Sequence, residues 1–494
     1  MAAWCMAKIN IPRCMSTQHP DNVNAPFFAE NAALGGEEEV QEAYYAFSHL
    51  GCDEQMWDCE GKEVDNYVVM KLLTKFKSFF TEKQLGKDLF LTLRVPNPAI
   101  ERAEAKILLE TLESIPRSFD VANLFYKNDI PPIFEVILPM TDSAAAVDRV
   151  YRYYNDFVVG KQDKPLKKGD IPIAEWIGTF KPKSINVIPL FEEMEHMLNA
   201  HTMTETYLKD KKLEHQRIFL ARSDPAMNYG LVSAVLLNKI ALQRLSHLSK
   251  KISVDLYPIV GVGSAPFRGN LRPSTVRRVT EEYPSTHTFT IQSAFKYDNT
   301  PGQVKEAAQF LQERKTLPPQ EVDEQRCLDI IERYSTEFRK QVVALAPLIN
   351  AVASAVPSRR KRKLHVGLFG YSRQVKGVQL PRAISFTASL YSLGLPPEIL
   401  GINALTGKDL DYLKETYIHF EEDLQDALTF FNPDALKLLP KECSISRNDL
   451  PKEFSPIEKH IEITSFIQRS LRQGKTEHLS EPVLSAAKLR GFLG

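Results

Sequence analysis

Short runs rich in β-branched and aromatic residues recur along the chain, separated by longer amphipathic, charge-rich stretches with helical spacing. Eight runs stand out: "EQMWDCE" (54–60), "LFLTLRV" (89–95), "PIFEVIL" (132–138), "INVIPLF" (185–191), "QRIFLAR" (216–222), "LYPIVGV" (256–262), "THTFTIQ" (286–292) and "KLHVGLF" (363–369). Strands alternating with helices in this number predict an α/β fold, a closed (β/α)8 TIM-type barrel with additional, mostly C-terminal, helices. Such a barrel gathers its chemistry where strands end, and polar stretches do follow the runs: "DCEGKEVD", "SDPAMNYG", "GSAPFRGNLRP" and "GYSRQVKG". An open doubly wound sheet competes, because it too binds ligands at the carboxyl ends of its strands. The expected organisation is one enlarged barrel domain over 1–494. Within it, 1–50 is an N-terminal segment carrying a histidine loop, 51–375 holds the barrel strands and helices, and 376–494 is a helical elaboration.

Charge narrows the function. Sixty-two basic residues balance sixty-two acidic ones in 494, which argues against a nucleic-acid or membrane-surface partner and for a small one. No apolar run is long enough to span a bilayer, and the opening "MAAWCMAKINIPRC" lacks the apolar stretch of a secretory signal, so a cytoplasmic protein is expected. The six cysteines form no CxxC pair, and Cys52 and Cys59 are too far apart for a common zinc half-site, so reduced, structural thiols are expected. The basic run "RRKRK" (359–363) reads as a solvated strand entrance.

Candidate chemistry sits at the predicted strand ends. Glu192 ends the fourth run and Asp224 follows the fifth, so neighbouring strands present two hard carboxylates to one point, as Mg2+ or Mn2+ prefers. The alternative is that each pairs with a nearby cation. Arg268 and Arg272 stand in a loop with Gly263 and Gly269, where guanidinium forks and backbone N–H groups can wrap an anion. It is neither a Walker loop nor a dinucleotide fingerprint. Arg94, Arg373 and Lys296 stand at other strand ends, and cations converging on one barrel mouth point to an anionic substrate. His19, in "STQHPDN", is either a hydrogen-bonded loop anchor or an acid/base group held by a loop stiffened by Pro12 and Pro20. The loop precedes the first predicted strand, so it must fold over the mouth to reach the other groups.

Together these residues resemble the phosphoenolpyruvate carboxylase family, particularly its short archaeal-type branch, nearly end to end. "CMSTQHPDN" is characteristic of that branch and resembles the longer form's "TAHPT", which implies a catalytic His19. "PLFE" resembles "PLFET" and "ARSDPAMNYGLVSA" resembles "GYSDSNKDAGRLSA", implying metal ligation by Glu192 and Asp224. "FRGNLRP" resembles the end of "HGRGGTVGRGGGP", which implies a catalytic Arg268, although the His and first Arg of that loop have no counterpart here. "YSRQVKGVQLPRAI" resembles "SRPAKRRPTGGVESLRAI", implying substrate contacts at Arg373 and Arg382, and "LTLRVPNP" resembles "LDIRQES", implying one at Arg94. The terminal "KLRGFLG" is similar to the family's glycine-ended tail, which folds back near the active site.

The resemblance implies irreversible carboxylation of phosphoenolpyruvate by bicarbonate to oxaloacetate and phosphate, through carboxyphosphate and a metal-bound enolate, with Mg2+ or Mn2+ and without biotin. It also implies a homo-oligomer, expected to be a homotetramer. The glycine loop and the His19 loop are the natural lids against water. The competing functions are another metal-dependent barrel lyase acting on 2-oxo or enol acids, similar to citrate lyase, and a non-catalytic barrel scaffold.

Overall fold

Side chains alternate inward and outward along eight short parallel strands, and this alternation lets them close around a packed interior. In the computed structural model, which describes residues 10–59, 65–361, 373–375 and 378–494, the strands are β1 (Cys14–Ser16), β2 (Glu54–Asp58), β3 (Phe90–Arg94), β4 (Glu135–Leu138), β5 (Asn186–Phe191), β6 (His215–Ala221), β7 (Asp255–Gly261) and β8 (Thr288–Ile291). They form one closed barrel in chain order. The first seven predicted runs are β2 to β8. The eighth predicted run, "KLHVGLF", lies outside the described residues. Cys14–Ser16 closes the barrel instead, pairing with β8 through Met15 and Thr290 and with β2 through Met15 and Glu54. The barrel strands therefore fall between residues 14 and 291, ahead of the expected 51–375.

Successive inward positions form layers. Met15, Met56, Ile137, Ile188, Phe219 and Ile259 belong to one buried apolar cluster inside the barrel. One inward step earlier, β6 places Arg217, β2 Glu54 and β4 Glu135, all buried. Arg217 donates to Glu54 at 2.7 and 2.8 Å and to Glu135 at 2.9 Å, and the Thr92 hydroxyl also bonds Glu54. Breaking such a network from one side strands charge in a dry interior, so Arg217→Met is expected to cost about 3–5 kcal/mol of stability. Urea unfolding measures this, and a loss below about 1 kcal/mol, typical of an exposed pair, would contradict the buried network.

One inward step later, the same periodicity delivers polar residues to the mouth. Asp58 follows Met56, Arg94 follows Thr92, Glu192 follows Leu190, and Gln292 follows Thr290. Helices surround the strands, among them α1 (Glu37–Ser48), Leu231–Ile252 and the long Glu324–Ala353. After a hairpin of β9 (Arg373–Val375) and β10 (Val378–Leu380), the remainder is helical. Its last helix, Ser480–Arg490, returns the chain to the mouth, where the Leu493 amide donates to the Asp21 carbonyl at 2.7 Å. A Cβ at Gly494 would lie 2.1 Å from the Ile384 carbonyl oxygen, so only glycine fits there. Among the described residues no helix is long and apolar enough to cross a membrane.

Candidate active site

The strand ends open into a cavity of about 470 Å³ lined by His19, Arg94, Glu192, Asp224, Arg268 and Arg382, among others. Glu192 directly follows β5, and Asp224 lies in the first turn of the short helix Ser223–Tyr229 that follows β6. β5 and β6 are paired near these ends through Leu190 and Phe219 and through Phe191 and Leu220. Glu192 is buried and Asp224 half-buried. Among the described residues no cluster of three or more His, Cys, Asp or Glu assembles as a metal cage. Two hard carboxylates could hold Mg2+ or Mn2+, which keeps positions for water and substrate oxygens.

Because the barrel begins at Cys14, the His19 loop is itself the link from β1 to α1. It needs no fold-over, and inward alternation from Met15 and Thr17 brings His19 to the mouth. The loop is bolted to β8 and the helix after it: the Thr17 amide donates to the Ile291 carbonyl, and the Ser293 amide to the His19 carbonyl, at 3.0 and 3.1 Å. Asp298 accepts from the amides of Val23 and Asn24 at 2.7 and 2.8 Å. Burial pushes the Asp298 carboxyl up to about 7. With these bonds the loop forms one wall of the cavity. The His19 ring is set by Nδ1, 2.9 Å from the Thr17 hydroxyl.

Arg268 ends a short 3-10 turn, Pro266–Arg268, and is 2% exposed. Its Nη1 donates to Gly494 at 2.8 Å and reaches Asp21 at 3.3 Å, while Nη2 donates to Gln292 at 2.6 Å. Burial lowers the Arg268 pKa, with Asp21 opposing. The reverse holds for Asp21, whose carboxyl burial raises although Arg268 and the Ala294 and Ser264 amides favour its charge. A Cβ at Gly263 would lie 2.9 Å from the Arg268 guanidinium carbon, and one at Gly269, at φ 119, would lie 2.6 Å from Val262. Gly263 makes room for the Arg268 guanidinium, and Gly269 for the Val262 side chain.

The other expected cations divide. Arg94 reaches the cavity while forking onto Asp58, its register partner, at 2.6 and 3.1 Å. Arg382 lines the cavity from an exposed position just before the helix Ala383–Ser392. Arg373 lies in β9, and its side chain is outside the described residues. Arg272 and Lys296 are not among the lining residues. Asn270, at φ 57, turns the chain, and Arg272 pairs with Asp426 at 3.0 Å. Lys296 is buried behind β1, bonded to Ser16, Thr17 and Glu42 at 2.9–3.1 Å.

Three lining arginines went unnoticed in the sequence. Arg222 stands inside the quoted "ARSDP", masked by its interest for Asp224. It is buried, donating to the Phe267 carbonyl at 3.1 Å. Arg359 and Arg360 belong to "RRKRK", yet they are 7% and 2% exposed, which corrects the solvated reading for these two; Lys361 is exposed, and 362–363 lie outside the described residues. Arg359 donates to the Asn22 and Val23 carbonyls at 3.2 and 2.7 Å, and Arg360 pairs with Glu39 and Glu42, each at 3.0 Å. Charge density alone cannot tell a solvated run from a buried one, because the deciding partners lie hundreds of residues away.

A family model described as phosphoenolpyruvate carboxylase matches residues 11–494. The phosphoenolpyruvate carboxylases of Methanospirillum hungatei and Methanothermobacter thermautotrophicus are each 57% identical to this chain, covering 98% of it and 100% of their own lengths. That of Pyrococcus furiosus is 50% identical with the same coverage. Among solved structures, an HpcH/HpaI aldolase from Desulfitobacterium hafniense aligns with 62% of this chain and 95% of its own at 11% identity and a TM-score of 0.33, too slight a likeness to carry an argument. With its whole length from residue 11 matched, the chain belongs to the phosphoenolpyruvate carboxylase family.

Proposed function

We propose that the carboxy-lyase activity of this chain joins phosphoenolpyruvate to bicarbonate through carboxyphosphate, with His19 as the acid/base group and Arg268 as the main phosphate contact. The observation that carries this reading is the meeting of His19, Glu192, Asp224 and Arg268 on one cavity. A bicarbonate oxygen attacks phosphorus and the bond to the enol oxygen breaks, leaving carboxyphosphate and the enolate of pyruvate. Arg268, with Arg94 and Arg382 nearby, offsets the phosphoryl charge during this transfer. His19 then takes the carboxyl proton of carboxyphosphate, the bond from carbon to the bridging oxygen breaks, and the proton passes to the departing phosphate. The enolate carbon attacks the freed CO2, giving oxaloacetate.

The Thr17 hydroxyl also faces the Ile291 carbonyl, at 3.4 Å. A hydroxyl donating there accepts from Nδ1–H of His19, and that tautomer puts the basic lone pair on Nε2. Glu192 and Asp224 are the residues that would hold Mg2+ or Mn2+, which supplies electrophilic charge to substrate oxygens when bound. Glu192→Gln and Asp224→Asn are each expected to weaken Mn2+ binding by more than roughly tenfold, the lower bound for losing even a supporting group behind a ligand. Titration followed by the electron paramagnetic resonance of free Mn2+ checks this, and unchanged binding would count against the pair.

A malate dehydrogenase-coupled assay with phosphoenolpyruvate, Mg2+ and bicarbonate tests the reaction. Oxaloacetate appearing only with bicarbonate supports it, whereas a citrate-lyase-like enzyme would need a different acceptor and no bicarbonate. A cytoplasmic location accords with the five free, buried cysteines among the described residues. The homotetramer belongs to the same reading, and light scattering tests it.

A further inference from the structure

We propose that Glu42 is a positioning residue for the carboxylation reaction, a buried carboxylate that ties the residues just before His19 to Arg360 in the arginine wall of the cavity. The inference rests on the role given to His19 above. Glu42 lies in α1, a helix opening with Glu37, Glu38 and Glu39, and is wholly buried, with Glu39 one turn earlier at 2% exposure.

Its two oxygens receive five donors. Oε1 accepts from Lys296 Nζ at 3.0 Å, the Tyr297 hydroxyl at 2.8 Å and Arg360 Nη2 at 3.1 Å. Oε2 accepts from Arg360 Nη1 at 3.0 Å and Gln18 Nε2 at 3.3 Å. Burial opposes its charge, but Arg360 and Lys296 outweigh that and hold the carboxyl well below the usual range.

These donors lead to opposite sides of the site. Gln18 directly precedes His19, and its side-chain oxygen accepts from the Asp58 amide at 2.9 Å. Asp58 in turn grips Arg94. Lys296 carries the tie to Ser16 and Thr17, so the three residues before His19 are all fixed to Glu42, directly or through one side chain. On the other side, Arg360 holds the segment whose backbone bonds Leu34 and whose neighbour Arg359 lines the cavity. The two cations and the two carboxylates, Glu39 and Glu42, balance, so a network with no net charge is buried between the loop and the wall.

Glu42→Gln keeps the shape and removes the charge, leaving Lys296 without its carboxylate and loosening Gln18. A misplaced His19 slows release of CO2 from carboxyphosphate. The enolate then takes a proton from water at carbon and leaves as pyruvate, while carboxyphosphate is hydrolysed to bicarbonate and phosphate. A merely structural loss lowers active enzyme and leaves the product ratio alone. Gln18→Met cuts the link to Glu42 and spares the ion pairs, and so serves if Glu42→Gln fails to fold.

The test measures oxaloacetate with malate dehydrogenase and pyruvate with lactate dehydrogenase for the unmodified chain and both variants. The ratio of pyruvate to oxaloacetate is expected to rise roughly ten- to hundredfold in Glu42→Gln, as displacements of about 1 Å do, and to rise in Gln18→Met. An unmodified ratio in Gln18→Met and in any folded Glu42→Gln protein overturns the proposal, as does a parallel fall in both products. If the unmodified chain makes no oxaloacetate, the carboxylation reading itself fails and this inference falls with it.

Discussion

His19→Asn is expected to cut oxaloacetate formation to a small residue while leaving bicarbonate-dependent conversion of phosphoenolpyruvate to pyruvate and phosphate. The asparagine amide can replace Nδ1–H as a donor to the Thr17 hydroxyl, so the loop keeps its bonds to Ile291 and Ser293. It offers no base. General acid/base groups contribute roughly 10²–10⁴-fold, and the rate of oxaloacetate release should fall by that order. In the proposed sequence the first step, attack on phosphorus, does not use His19, so phosphate release should persist. Product analysis checks the split, and full carboxylation by this variant would remove His19 from the reaction.

Arg268→Ala should lose turnover of phosphoenolpyruvate altogether. The guanidinium is buried and shared among Asp21, Gln292 and the Gly494 carbonyl. Its removal leaves Asp21 as a buried carboxylate beside two amides, and breaking such a pair from one side costs about 3–5 kcal/mol. Loss of activity therefore has two sources, substrate charge and local stability. Arg268→Lys separates them, since lysine keeps the charge and lacks the fork that reaches Gln292 and Gly494 together. Steady-state kinetics with thermal unfolding of both variants reads the outcome, and near-normal kinetics in Arg268→Ala would take the residue out of the site.

Which features were legible in the sequence follows from which interactions are local. "LFLTLRV" and "INVIPLF" announce strands because alternation and β-branching are properties of the segment itself. Arg94, inside the first run, and Glu192, the residue directly after the second, could then be placed at the mouth. β1 gave no such signal: "CMS" is three residues long, follows Pro12, and is a strand only because β2 and β8 flank it. Its absence made the His19 loop look like a remote segment that had to fold over, when it directly continues a barrel strand.

That Arg359 and not Arg272 lines the cavity has a similar reason. A left-handed turn at Asn270 sends Arg272 toward Asp426. Carbonyls of residues 22 and 23, more than three hundred positions away, draw Arg359 inward. Neither partner can be read from the neighbouring sequence, and the same holds for the Glu42 network.

The most direct test of the account uses bicarbonate labelled with oxygen-18 in every position. Attack of bicarbonate on phosphorus predicts phosphate carrying a single labelled oxygen, with the remaining label in the new carboxylate of oxaloacetate. Unlabelled phosphate, formed at the same rate as oxaloacetate, would contradict the account.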